Sequence, residues 1–158
     1  MKESIDVIRG SRKFLVNLID GISIQKLNEI PAGFNNNITW NVAHVIATQQ
    51  KLCYVNAGVK PFVEEEFIAK YKSGTKPGGF IDEAEFKTLK NYLFSTIDQF
   101  EEDTSKDIFT NYEGFDLKSY PGVRIENVKD ATKFASFHEG LHLGYIMALK
   151  KIVNNNLE

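Results

Sequence analysis

The chain has 158 residues, a formal net charge of −2 and one cysteine. That length suits a single domain spanning 1–158, which would bury roughly 68–70% of the surface its unfolded form exposes. The near-neutral charge, with Lys and Glu interspersed, leaves no basic stripe for nucleic acid or an anionic membrane, and the lone Cys53 cannot close an internal disulfide, so a reducing, cytoplasmic setting is expected.

The N-terminal segment MKESIDVIRGSRK lacks the unbroken apolar run of a signal peptide, and no stretch approaches the ~20 apolar residues of a membrane span. The first predicted helix runs from about Ile5 to Ile22, with Ile5, Ile8, Arg12, Leu15, Ile19 and Ile22 at the three- and four-residue steps of one helical face. Gly21, Pro31, Gly33 and the Asn run 35–37 end it. The second, about Thr39 to Asn56, carries Asn41, His44, Val45, Thr48, Leu52 and Val55 on a stripe flanked by two polar faces, and stops at Asn56-Ala-Gly58.

Residues 59–81, with Pro61, Gly74, Pro77, Gly78 and Gly79, read as a crossover connection in which EEEFIAKYK forms one or two short helical turns. The third helix has the clearest start: Asp82 as N-cap, Glu85 closing a capping box, and Ile81 stapled to Phe86, followed by a buried face of Phe86, Leu89, Leu93, Ile97 and Phe100. Residues 103–126 are too aromatic for a free linker and should pack over something, either as plain packing or as a lid on a pocket. The fourth helix starts near Asn127 and reaches about Val153, before a polar tail 154–158. No alternating strand pattern and no internal repeat is evident. The fold class is therefore all-α, a four-helix bundle with long crossover connections.

The inward stripe of the fourth helix includes Ala131, Phe134, Ala135, His138, Leu141, His142, Tyr145, Ile146 and Leu149. At i and i+4, His138 and His142 project one turn apart from one face, the spacing at which two imidazoles share an ion. His44, the only other histidine, sits in the middle of its own stripe and is the natural third ligand of one divalent ion. A single histidine on an apolar face is more often a hydrogen-bonded core residue. Three of three in such positions favour a metal, because burying an unpartnered imidazole costs on the order of 1–3 kcal/mol. Three neutral nitrogens with open positions describe a catalytic rather than a closed structural site, for zinc, nickel or another first-row ion.

His138-Glu139-Gly140-Leu141-His142 also matches the zinc-protease pattern H-E-x-x-H, whose glutamate activates water. Only sixteen residues follow His142, however, and the sole downstream candidate ligand, Glu158, lies among asparagines, so a protease is disfavoured.

The segments Ile38-Thr-Trp40-Asn41-Val-Ala-His44 and Phe137-His138-Glu-Gly-Leu-His142-Leu-Gly144-Tyr-Ile146, with the loop Tyr120–Asn127, resemble the DinB/YfiT-like superfamily of metal-binding four-helix bundles over nearly the whole chain. The resemblance implies His44, His138 and His142 as the metal triad, zinc or nickel as the ion, and frequent homodimers. It further implies chemistry with low-molecular-weight thiols in the characterised branches, beside many members described only as metal-dependent hydrolases. A relative branch that binds iron continues His-x-x-x-His-x-Glu; Gly144 stands at that last position here and counts against it.

The resulting expectation is a metal-dependent thiol S-transferase or hydrolase acting on small molecules, with a non-catalytic metal-containing binding or stress-response protein as its rival. Glu139 is the candidate catalytic base or imidazole-holding carboxylate, against a plain solvated or dimer-edge role. Asn41 and Tyr145 are candidates for substrate binding or for simply satisfying the buried interior. Trp40 should pack at the start of the second helix, and Cys53 should be a small buried hydrophobe.

Overall fold

The structure, a computed structural model, describes residues 1–155; residues 156–158 of the expected polar tail lie outside the described residues. Helix α1 (Lys2–Ile19) buries Ile5, Ile8, Arg12, Leu15 and Ile19 along the predicted stripe. It ends three residues earlier than periodicity suggests, because Gly21 turns into the left-handed region at φ 73°. A short helix α2 (Ile24–Asn28), not anticipated from the sequence, follows, with Ser23 Oγ accepting from the Lys26 N–H at 3.4 Å.

Asn37 caps helix α3 (Ile38–Cys53) by accepting from the Trp40 N–H at 2.9 Å. The expected polar faces of α3 are not solvated: of its sixteen residues only Thr48 and Lys51 escape burial. The connecting segments account for this. Gln50 Oε1 accepts from the Phe62 N–H at 2.7 Å and its Nε2 donates to Gln49 Oε1 at 2.9 Å, so a passing loop satisfies the Gln50 amide, while Gln49 Nε2 stays buried without a partner.

After a single 3-10 turn (Val55–Ala57), helix α4 (Glu65–Tyr71) forms within the acidic, aromatic stretch and buries Ile68 and Tyr71. Helix α5 (Glu83–Asp103) opens with the predicted capping box, Glu85 N–H to Asp82 Oδ1 at 2.8 Å and Asp82 N–H to Glu85 Oε2 at 3.1 Å. Strands β1 (Phe115–Asp116) and β2 (Arg124–Ile125) then pair antiparallel as a small hairpin. Two-residue strands are too short to carry an alternating signal, which is why none was expected. Helix α6 (Val128–Asn155) starts where Asn127 Oδ1 accepts from the Asp130 N–H at 3.0 Å.

Helix α6 packs on α3 and α1, and α5 packs on α1 and α3. One apolar cluster joins Leu15 and Ile19 of α1, Ile38 to Ala47 of α3, Phe86 to Leu93 of α5 and Ile146 to Val153 of α6; the other joins Ile5 and Ile8, Leu52 and Cys53, Ile97 and Phe100, and Ala131 and Ala135. Those memberships set the directions. Helices α1 and α6 run one way, and α3 and α5 run the other. Helix α4 lies in the connection from α3 to α5. Arg12, Thr96 and Glu139 meet in a buried polar group between the two clusters, and His44, His138 and His142 converge beside the first. No described helix is long and apolar enough to cross a membrane.

Candidate metal centre

One helical turn separates His138 from His142 on α6, and their ring centroids stand 4.5 Å apart. From α3, His44 faces both, at 5.1 Å from His138 and 4.6 Å from His142. One nitrogen from each ring lies within 4.8 Å of the other two, forming the only such grouping of His, Cys, Asp or Glu among the described residues. The closest pair, His44 Nε2 and His138 Nε2, is 3.3 Å apart.

Local hydrogen bonds decide which nitrogens carry protons. His44 Nδ1 lies 2.6 Å from the carbonyl oxygen of Tyr71. A carbonyl only accepts, so Nδ1 bears the proton and Nε2 keeps its lone pair. Tyr71 ends α4, where carbonyls lack intrahelical partners, so the crossover helix supplies the acceptor.

Asn41 performs the same task for His142. Its Nδ2 donates to the Asn37 carbonyl at 2.7 Å, which turns Oδ1 toward His142 Nδ1 at 2.7 Å and makes that nitrogen the donor. Two of the three imidazoles thus present an unprotonated Nε2. The third, His138, leaves a buried Nδ1 with no partner. That nitrogen is not the one facing His44, so an ion held at Nε2 would leave it unpartnered, at a cost of about 1–3 kcal/mol.

The ring of Trp40 stacks on His44 at a centroid distance of 4.6 Å and an interplanar angle of 11°, fixing the imidazole plane, while its Nε1 donates to Thr75 Oγ1 at 3.3 Å. Trp40 therefore does more than pack at the helix start. Burial lowers the pKa of all three imidazoles. His138 falls to about 4 and His142 to about 3, with charge on the neighbouring histidines adding to the burial effect, and His44 falls despite its bond to Tyr71. All three are neutral at pH 7, as metal ligands must be.

The sign of the pH dependence follows. For a histidine whose folded pKa lies below its unfolded value, stability is fully present above about pH 6.5 and is lost as pH falls toward the folded value. Metal-free protein in chelator should therefore unfold at a lower temperature at pH 5 than at pH 7.5. A variant carrying His138→Phe and His142→Leu should show a smaller difference between the two; equal differences would contradict this account.

The remaining candidates are distributed differently. Glu139 is 4% exposed and points away from the triad: Arg12 Nη2 donates to its Oε1 at 2.6 Å and Arg12 Nε contacts both oxygens at 3.1 Å. With the carboxylate engaged by Arg12, the candidate base Glu139 does not face the three histidines. Asn41, fully buried, accepts from His142 Nδ1. Tyr145 packs edge-on against Phe34 at 5.8 Å and lines a side pocket with Asn36, Asn41 and His142, outside the main cleft. Cys53 is fully buried and its thiol is pushed up to about 12 by burial, an inert residue.

That main cleft, about 440 Å³, opens directly on the three histidines and is lined by Trp40, Thr48, Phe134 and Leu141 of the helices together with Leu117 and Tyr120 of the hairpin segment. Thr48, one of the two unburied positions of α3, brings its hydroxyl to 3.4 Å from His44 Nε2. The aromatic loop divides its labour. Phe109 packs on Tyr54 and Phe100, and Tyr112 donates to the Leu52 carbonyl at 2.9 Å, whereas Tyr120 stands edge-on to Phe134 and Phe137 at the cleft wall.

The donor set fits a divalent ion. Two nitrogens that each bind one ion at ~2.0–2.1 Å in tetrahedral geometry stand roughly 3.3–3.4 Å apart, and the His44–His138 pair is already at 3.3 Å. A family model described as the DinB superfamily matches residues 8–146, a span that includes all three histidines. No curated protein matches the chain.

Proposed function

The chain belongs to the DinB superfamily, and on that premise we propose that it is a metal-dependent enzyme, a four-helix bundle with crossover connections in which His44, His138 and His142 hold zinc or nickel for chemistry on a small molecule. The carrying observation is the pairing of preset tautomers with an open side: two Nε2 lone pairs are fixed by Tyr71 and Asn41, and the triad forms one wall of a cleft rather than a closed cage.

When bound, a divalent ion held by His44, His138 and His142 would supply the Lewis acidity that makes a thiol or water acidic enough to ionise near neutral pH. The chain's own residues do the rest. Trp40 and Tyr71 hold His44, and Asn41 holds His142. Leu117, Phe134 and Leu141 form apolar wall against which an organic electrophile can seat. Of the two reactions, S-transfer joins the sulfur of a low-molecular-weight thiol to an electrophilic carbon. The thiol proton passes to solvent, and the leaving group departs with its electron pair. Hydrolysis uses water in place of the thiol.

The test is turnover of a chromogenic alkyl halide with a panel of thiols, and of esters without thiol, by zinc- and nickel-loaded protein. We expect a rate proportional to metal occupancy that His44→Ala removes. Stoichiometric metal without turnover on any thiol or ester would favour a non-catalytic binding protein.

A further inference from the structure

The cleft beside the histidines is charged in one sense only. Lys51 of α3, Lys72 just after α4 and Lys118 of the hairpin segment line it, and no Asp or Glu does. The three come from separate elements of the chain. Lys51 is the exposed one of the two unburied positions on α3. Lys72 follows the residue whose carbonyl holds His44. Lys118 lies in the turn whose ends are tied by Leu117 N–H to the Val123 carbonyl at 2.9 Å.

None of these three ammonium groups forms an ion pair with a described acidic residue, a state they share with most lysines of the chain; what sets them apart is their convergence on one cleft that no Asp or Glu lines. An adjoining groove that shares Lys51, Asn56 and Phe115 with the cleft is lined by one acid, Glu113. On a chain whose net charge is −2, an acid-free cleft with three lysines at its rim is a local positive focus, which draws anions and repels cations.

We infer that this cleft selects small molecules bearing an anionic group, a carboxylate, sulfonate or phosphate, which Lys51, Lys72 and Lys118 grip while the reacting atom faces the histidines. The inference takes the cleft as the substrate site and so rests on the reading above. Nucleic acid is not the occupant, since the volume of about 440 Å³ suits a small molecule and no basic stripe leads away from it.

The single tryptophan, Trp40, lines the cleft and reports occupancy through its fluorescence. Three thiols of equal carbon count serve as probes: 3-mercaptopropanesulfonate, 3-mercaptopropanol and 3-aminopropanethiol, each titrated into metal-free and zinc-loaded protein. The sulfonate should bind roughly tenfold or more tightly than the alcohol at low salt, as three exposed charge contacts allow, and the ammonium should bind weakest. High salt should shrink the difference. Replacing all three lysines by glutamine should erase it, and replacing them by arginine should restore it.

Equal affinities, a preference that survives the glutamine variant, or no saturable response to the sulfonate at millimolar concentration would overturn the inference. Elemental analysis of the same samples separates it from the metal reading. Bound zinc with no charge preference fails this inference alone; a charge preference without metal uptake fails only the metal reading.

Discussion

Replacing Arg12 by methionine is expected to lower the free energy of unfolding by about 3–5 kcal/mol, because it leaves the Glu139 carboxylate buried without its cation. Arg12 is fully buried. Beyond its three contacts with Glu139, its Nη1 donates to the Leu93 carbonyl at 2.6 Å and to Thr96 Oγ1 at 2.9 Å, so one guanidinium ties α1, α5 and α6 together at mid-height. Burial raises the Glu139 pKa and Arg12 opposes that; once Arg12 is gone, the carboxyl must take up a proton or draw in water.

For a domain of this size the loss corresponds to a fall in Tm on the order of 10 °C. The double variant Arg12→Met, Glu139→Leu should recover most of it, since both buried charges are then removed together and apolar replacements fill the space. The same pair of variants decides the function of Glu139. If the carboxylate is structural, the double variant binds metal normally. A double variant that is stable and metal-loaded yet inert in turnover would return Glu139 to the catalytic role its motif suggested.

That motif shows where sequence reading reaches its limit. Successive residues on an α-helix turn by about 100°, so a glutamate directly after His138 faces a different flank from His138 and His142, which share theirs. The rotation could have been read from the spacing. The identity of its partner could not: Arg12 stood visibly on an apolar stripe, but choosing among 21 acidic residues needs the register of α1 against α6. The long helices were legible because each repeats its apolar positions over several turns, and the three histidines because every one lay on such a stripe.

What escaped was whatever depends on the backbone of connecting segments. The acceptor for His44 is a main-chain carbonyl, which any residue at position 71 would present; only the path of the crossover delivers it. The polar faces expected on α3 are buried for the same reason, since α2, α4 and the loop at Phe62 pack on that helix. Lys72 and Lys118 carried no signal, because exposed lysines are the commonest feature of any surface and only the fold brings them to one rim.

The second large effect concerns the metal itself. His138→Ala should abolish stoichiometric zinc or nickel binding at micromolar protein, because two imidazoles alone hold a divalent ion far more weakly than three and His138 Nε2 stands 3.3 Å from His44 Nε2. Asn41→Leu should weaken binding by roughly 10–100-fold without removing it, the effect of losing a hydrogen bond that fixes a ligand's tautomer. The leucine cannot accept from His142 Nδ1, so the proton is free to sit on Nε2 and compete with the ion. Competition against a chelator of known affinity, followed by elemental analysis of the protein freed of excess metal, measures both. If His138→Ala retains one equivalent with unchanged affinity, the ion is bound elsewhere and the triad is a hydrogen-bonded cluster. If Asn41→Leu matches the parent, tautomer control by Asn41 is wrong even though the triad stands. The ordering of parent above Asn41→Leu above His138→Ala is thus the signature of a site whose ligands converge and whose second layer of hydrogen bonds sets which nitrogen each one offers.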